Sequence, residues 1–249
     1  MIKALFNHKS IRNYKNEPIS DEILNQILQG AIRGSNTGNM QLYSIIVTKN
    51  EQKKKQLWES HFKQNMVVQA PIILTFVADI NRFHKWCKLR KAGTAYDNFL
   101  WLYNATIDAT IAAQNAAIVA EDNNLGICYL GTTTYMAKNI IDILKLPKGV
   151  IPVTTLVIGY PDENPPLTSR LPQNAVVFNE EYPTLSDDDI ENLHKDLEDL
   201  DFSKDLVKLN ETENLAQVFT KKRYKKADNL HFSDEFLKII EQQGFMNNK

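Results

Sequence analysis

The sequence predicts an α+β domain followed by a helical C-terminal extension. Short continuous apolar runs, at residues 72–78 and 153–158, are typical of buried strands. They alternate with longer segments whose apolar residues have helical spacing, such as residues 20–33. The C-terminal part is highly charged, which suits exposed helices. We therefore predict one domain over residues 1–200 and an extension over residues 201–249.

Capping and turn residues delimit the elements of the first half. Ser20, followed by two acidic residues, is typical of a helix start, and the predicted helix continues to about residue 33. Residues 34–39 are small and polar, which predicts a loop. A short β-branched strand follows at residues 44–48, and Pro71 introduces the first buried strand.

A long alanine-rich helix is predicted over residues 100–122. Because small side chains let neighbouring elements approach closely, we expect this helix to be buried on more than one face. Its Gln114–Asn115 pair then needs hydrogen-bond partners inside the protein. Four further elements follow: a strand at residues 125–130 that ends in Gly131, a helix at 136–144, the strand at 153–158 and an acidic helix that begins at Ser186.

Composition excludes several classes of partner. The 249 residues carry a formal net charge of −1, so no global basic field is present to hold nucleic acid. No apolar run approaches the length that spans a bilayer, and no signal-peptide pattern is present. Cys87 and Cys128 do not form a disulfide framework. These features predict a cytoplasmic protein without a membrane partner.

The segment His8-Lys9-Ser10-Ile11-Arg12 is a candidate anion site. Four of its five side chains can donate a hydrogen bond to an anion, and the arginine fork suits phosphate oxygens. Spacing alone favours the other interpretation, a solvated N-terminal surface.

Three other segments carry candidate ligands. The polar loop at residues 34–44 offers amide side chains, which suit a ring with both donors and acceptors. Gly131 directly follows a strand, where the absence of a side chain allows a planar ligand to approach the backbone. Arg170 lies in a proline-rich stretch over residues 161–172. Taken singly, each of these segments is also typical of an ordinary loop.

In combination these motifs resemble the FMN-dependent nitroreductase family, in its NADPH-preferring branch. The similarity runs from about residue 5 to residue 185, and its motifs occur in the same order: HKSIRNYKNEPIS, the loop ending in Asn39-Met40-Gln41, Tyr129-Leu130-Gly131-Thr132 and Ser169-Arg170-Leu171-Pro172. The resemblance implies a central, mostly antiparallel sheet flanked by helices. It also implies a homodimer with FMN at the interface and a C-terminal extension that packs on its own domain or on the partner.

The resemblance assigns flavin ligands by position. The phosphate and ribityl ligands would be His8, Lys9, Ser10, Arg12, Thr168 and Arg170, with Thr168 in the place of a family lysine. The ring ligands would be Asn36, Gln64, Tyr129, Leu130, Gly131 and Thr132, with Thr132 in the place of a second glycine. Asn39 and Gln41 could either bind the flavin or brace the loop.

The implied activity is electron transfer from NADPH or NADH through FMN to small electron-poor acceptors by a ping-pong mechanism. The flavin carries the chemistry, so no protein residue is named as a catalytic acid or base. His84 and Cys87 have helical spacing without a second pair, so no metal site is predicted. The sequence does not choose among nitroaromatics, quinones, flavins and disulfides as acceptor.

Three alternatives stay open. The protein could be a flavin-binding sensor or storage protein with little turnover. It could catalyse another reaction of the same superfamily, such as dehalogenation or flavin fragmentation. The basic cluster over residues 221–226 is either a solvated tail or a site for the 2′-phosphate of NADPH.

Overall fold

Four strands from separate parts of the sequence form one antiparallel sheet. The computed structural model describes residues 2–94 and 96–247. Within them, four strands pair in the order β1-β2-β4-β3. Their bounds are β1 Tyr43–Thr48, β2 Ile72–Asp79, β3 Gly126–Leu130 and β4 Val150–Gly159. All three pairings are antiparallel, which confirms the predicted type of sheet.

Two helices cover one face of the sheet. These are α2 (Asp21–Ile32) and α6 (Phe99–Asp122), which follow a short N-terminal α1 (Lys3–Phe6). A Cβ atom on Gly30 of α2 would lie 2.5 Å from a Val119 methyl on α6, so the helices meet at a small residue. Seven of the α6 alanines are at most 1% exposed, which fits burial on more than one side: Ala105, Ala109, Ala112, Ala113, Ala116, Ala117 and Ala120.

Helices α3 (Glu51–Ser60), α4 (Met66–Gln69) and α7 (Ala137–Leu144) lie with the second apolar cluster. In that cluster Leu57 and Ile140 pack with Ile73 of β2 and Val157 of β4. A third cluster includes Phe245, which is fully buried near the C-terminus. The sheet is therefore buried on both faces, as its continuous apolar strands predict.

The chain divides into two units by its internal contacts. The first comprises residues 1–166 and 234–249, and the second comprises Leu167–Ser233. The predicted boundary at residue 200 falls instead between two helices of the second unit. The packing of the extension on its own domain or on a partner stays a prediction. The remaining α-helices of the described residues are α5 Asn81–Leu89, α8 Asp187–Asp199, α9 Asp201–Leu209, α10 Leu215–Gln217 and α11 Lys226–Gln242. Short 3-10 helices lie at Thr37–Asn39 and Gln173–Ala175, and a π-helical turn lies at Val218–Arg223.

The N-terminal segment covers the outer edge of β3. Ser10 forms a parallel bridge with Ile127, and the Ile11 N–H donates to the Ile127 carbonyl at 2.8 Å. A Cβ atom on Gly126 would lie 2.6 Å from Ile11 Cγ1. Glycine at this position therefore allows the segment to lie against the strand.

Replacing Gly126 with alanine should lower the free energy of unfolding by about 1–3 kcal/mol, because the new methyl group overlaps Ile11. Gly131→Ala is the matched control: outside its chain neighbours, no described atom lies within 4 Å of the position its Cβ would take. Urea unfolding of both variants measures the difference. Equal free energies of unfolding would contradict the close approach.

Candidate functional site

The basic segment meets the end of α6 beside the sheet edge. His8 Nδ1 lies 2.7 Å from Glu121 Oε1, and the side chains are 32% and 13% exposed. Burial raises the pKa of the Glu121 carboxyl, and the hydrogen bond with His8 opposes that rise. His8, predicted as a flavin ligand, therefore already has a carboxylate partner on one ring nitrogen.

Lys9 and Arg12 differ in whether their side-chain cations already have hydrogen-bond partners. Lys9 Nζ donates to Asn164 Oδ1 at 2.7 Å. The backbone N–H of Arg12 donates to Glu163, which holds the pKa of that carboxyl below its usual range. Within the described part of the chain, the exposed Arg12 guanidinium makes no hydrogen bond or salt bridge. Arg12 is thus the cation of this segment that is freest to bind an anion.

The strand β3 ends in a turn that is open on one side. Gly131 is exposed and has open space where a side chain would stand. Thr133 Oγ1 donates to the Leu130 carbonyl at 2.8 Å, which fixes the turn. Tyr129 is half-buried, its hydroxyl lies 3.4 Å from Gln114 Oε1, and burial raises its pKa. Of the four predicted ligands, Gly131 and Thr132 therefore stand on a fixed turn beside open space, whereas Tyr129 and Leu130 lie in β3 and Leu130 is buried.

Thr132 is held by residues that follow α3. His61 Nδ1 lies 2.8 Å from Thr132 Oγ1, and Gln64 Nε2 lies 3.5 Å from the same oxygen. His61 is 0% exposed, and burial lowers its pKa to about 4, so the imidazole is neutral at pH 7. The structure thus brings Gln64 and Thr132 together. Sequence reasoning missed His61, whose only signal was its position three residues before Gln64.

The polar loop at residues 34–41 is braced from within. Asn36 Oδ1 accepts from the Gln41 N–H at 3.1 Å, and Gln41 Nε2 donates to Asn39 Oδ1 at 3.2 Å. Asn39 and Gln41 adopt positive φ angles of 57° and 54°. These bonds fit the bracing alternative for Asn39 and Gln41, and they also engage the carbonyl end of Asn36.

Asp108 anchors this loop to α6. The carboxylate is 1% exposed and accepts from the Thr37 N–H at 2.8 Å, the Thr37 hydroxyl at 3.1 Å and the Leu42 N–H at 3.3 Å. Sequence reasoning missed Asp108 as well. An acidic residue inside an alanine-rich helix was the signal that could have identified it.

The polar loop and the basic segment lie far apart in space within a single chain. Asp108 and Glu121 are separated along α6 by about 20 Å, given the helix rise of 1.5 Å per residue. The loop leads into β1, and two strands lie between β1 and β3, a lateral distance of about 14 Å. The structure therefore does not place Asn36 beside the ligands of the basic segment.

The last two predicted ligands belong to the second unit. Thr168 and Arg170 are exposed, and Arg170 Nη1 donates to the carbonyls of Thr168 and Ser169 at 3.1 and 3.3 Å. In the basic cluster over residues 221–226, Lys221 Nζ donates to Gln217 Oε1 at 2.9 Å. All six residues of the cluster are exposed.

Two features of the first unit fit a flavin mononucleotide. The free Arg12 guanidinium suits a phosphate, and the open side of Gly131 suits a flat ring. Neither residues 2–94 nor residues 96–247 contain a group of three or more His, Cys, Asp or Glu side chains placed to hold a metal ion. In the same ranges, no helix has the length and apolar character needed to cross a membrane.

Comparison with known proteins shows which family the chain resembles. A model of the nitroreductase family matches residues 5–160. An FMN reductase [NAD(P)H] of Bacillus subtilis is 33% identical over 189 residues, covering 73% of this chain and 74% of that protein. An oxygen-insensitive NADPH nitroreductase of Salmonella typhimurium is 32% identical over 186 residues, covering 75% and 76%.

Solved structures agree over nearly the whole length. An oxidoreductase from Bacteroides fragilis superposes with a TM-score of 0.96 at 42% identity, covering 98% of this chain and 100% of the other. NfrA2 of B. megaterium superposes with a TM-score of 0.86 at 30% identity, covering 100% and 98%.

Proposed function

The chain belongs to the nitroreductase family, and we propose that it binds FMN and passes electrons from NADPH or NADH to small electron-poor acceptors. The names of its relatives, an FMN reductase and an NADPH nitroreductase, support this activity. One observation in the structure carries the proposal. A free cation and an open glycine flank the same edge strand: the segment that carries Arg12 pairs with β3 at Ile127, and Gly131 follows Ile127 by four residues, about 13 Å along the strand.

The residues of the chain bind and orient, and bound FMN supplies the hydride chemistry. Arg12 and Lys9 would neutralise the phosphate, and a contribution of Arg170 stays a prediction. The turn after β3 would place backbone N–H groups at the ring, where they stabilise developing negative charge. The nicotinamide donor and the acceptor would use the same open surface in turn, which gives ping-pong kinetics.

Flavin content and reduction test the proposal directly. The purified protein is expected to be yellow, to release FMN on heating and to lose its visible absorbance rapidly when NADPH or NADH is added without oxygen. Parallel double-reciprocal lines are expected in steady-state kinetics. A protein that never takes up FMN would overturn the proposal. Flavin that is bound but reduced only slowly would instead favour a sensor or storage protein.

Arg12→Ala should raise the dissociation constant of FMN about 10–100-fold, because a charge-assisted bond to the phosphate is worth about 1.5–3 kcal/mol. The matched control is Lys15→Ala, an exposed cation three residues further along the segment. Titration of each apoprotein with FMN, followed by flavin fluorescence, measures both constants. Equal affinities for the two variants would remove Arg12 from the site.

We also propose that the protein is a homodimer in which the loop at residues 34–41 completes the partner's flavin site. The distance between that loop and the basic segment supports this arrangement, because the two segments of one chain lie too far apart for one flavin to contact both readily. An apolar stripe on α6 supports it too: Phe99, Leu100, Tyr103 and Ile107 are 41–61% exposed. Sedimentation equilibrium is expected to give twice the chain mass; a monomer that binds FMN normally would contradict the arrangement.

A cytoplasmic location is proposed from the two buried free thiols.

A further inference from the structure

Two side chains, those of His61 and Gln64, converge on the Thr132 hydroxyl from the segment at the end of α3. His61 lies at the C-terminal end of α3, and its backbone N–H donates to the carbonyls of Leu57 and Trp58, which fixes its position. Gln64 Nε2 donates to the His61 carbonyl at 3.0 Å and also lies 3.5 Å from Thr132 Oγ1. The turn after Gly131 is therefore hydrogen-bonded through Thr132 to the segment that follows α3.

The second ring nitrogen of His61 indicates which way the hydrogen bond runs. His61 Nε2 is buried and has no hydrogen-bond partner in the described part of the chain. A buried N–H without an acceptor is rarer and less favourable than a buried acceptor without a donor. The tautomer that protonates Nδ1 avoids such an orphan N–H. In that tautomer His61 donates to Thr132 Oγ1 at 2.8 Å.

The Thr132 hydroxyl then keeps its own proton. A hydroxyl has one donor and two acceptor positions, and His61 and Gln64 would occupy the two acceptor positions. The O–H is left to donate to a third group. Thr132 is half-buried and directly follows Gly131, whose Cβ position faces open space, so a ligand that covers this surface would come close to the hydroxyl.

We propose that His61 and Gln64 position Thr132 so that its hydroxyl donates a hydrogen bond to the flavin ring held at Gly131. Thr132 is then a ligand by its side chain, and His61 is a positioning residue. The bond would strengthen as the ring gains negative charge on reduction, so it favours the reduced flavin and raises the midpoint potential. This inference rests on the proposed function, since it needs bound FMN.

The test measures the midpoint potential of bound FMN in four variants. Thr132→Val removes the hydroxyl and is expected to weaken binding of reduced relative to oxidised FMN about tenfold, which lowers a two-electron potential by about 30 mV. Thr132→Ser keeps the hydroxyl and should retain the wild-type potential. Thr134→Val, on the same turn, is the control and should not move it. His61→Asn should shift the potential in the same direction as Thr132→Val.

Each outcome either supports or contradicts a stated part of the proposal. An unchanged potential in Thr132→Val overturns the proposal, and so does an equal shift in Thr132→Val and Thr132→Ser, because volume and not the hydroxyl would then be the cause. An unchanged potential in His61→Asn removes the positioning role of His61. Failure of the wild-type protein to bind FMN would refute the proposed function itself. Normal FMN binding without a variant effect would refute this inference alone.

Discussion

Asp108→Ala is expected to lower the free energy of unfolding by about 3–5 kcal/mol. The buried carboxylate accepts three hydrogen bonds, two of them from the backbone N–H groups of Thr37 and Leu42. Bonds to a charged group are worth about 1.5–3 kcal/mol each, and alanine leaves buried donors without an acceptor. Asp108→Asn keeps the shape but offers one acceptor oxygen, so an intermediate loss is expected.

The same substitution should release the loop at residues 34–41 from α6. If this loop completes a partner's flavin site, FMN affinity falls together with stability. Urea unfolding and FMN titration at a temperature where the variant is folded measure the two effects separately. Asp122→Ala is the matched control, because Asp122 is an exposed aspartate on the same helix. Similar unfolding free energies for the two alanine variants would show that the carboxylate does not anchor the loop.

Acidification should destabilise the protein through His61. Burial lowers the pKa of this imidazole to about 4, whereas an unfolded histidine titrates near its ordinary value of 6.5. Below that ordinary value the histidine of the unfolded chain binds a proton, whereas the buried imidazole of the folded chain stays neutral until about pH 4. The contribution of His61 to stability is therefore fully present above about pH 6.5 and is lost as the pH falls toward 4. At 1.36 kcal/mol per unit, the loss is about 3 kcal/mol.

Denaturant unfolding at several pH values between 7 and 4 measures this dependence. His61→Gln lacks the titrating group, so its stability should fall less steeply with acid than that of the wild type. His231→Gln replaces an exposed histidine and should follow the wild-type curve. If the His61 variant and the wild type lose stability in parallel, the buried imidazole is not the origin of the acid sensitivity.

The sheet and its main helices could be predicted because their signals are local. Continuous apolar runs bounded by proline and glycine mark β2 and β4, and the predicted bounds agree within three residues. The need of Gln114 and Asn115 for partners was also predictable. The partners, Tyr129 and the Gly30 carbonyl, were not, because they come from distant parts of the chain.

The missed site residues share that non-local origin. Asp108 binds a loop more than sixty positions away in sequence, and His61 binds Thr132 across a similar separation. Nothing in the flanking residues indicates either pairing. The division at residues 166 and 233 was missed for the same reason, since it depends on contacts and not on composition.

The position of β4 has a consequence for how the chain folds during synthesis. This strand is the last of the four in sequence, yet it lies between β2 and β3 and pairs with both. Until β4 has emerged from the ribosome, β1 and β2 can pair with each other, but the other edge of β2 stays open and β3 can pair only with the N-terminal segment. Unpaired edges invite association with other chains. We therefore expect nascent chains that end before residue 150 to be the ones most prone to associate with other chains.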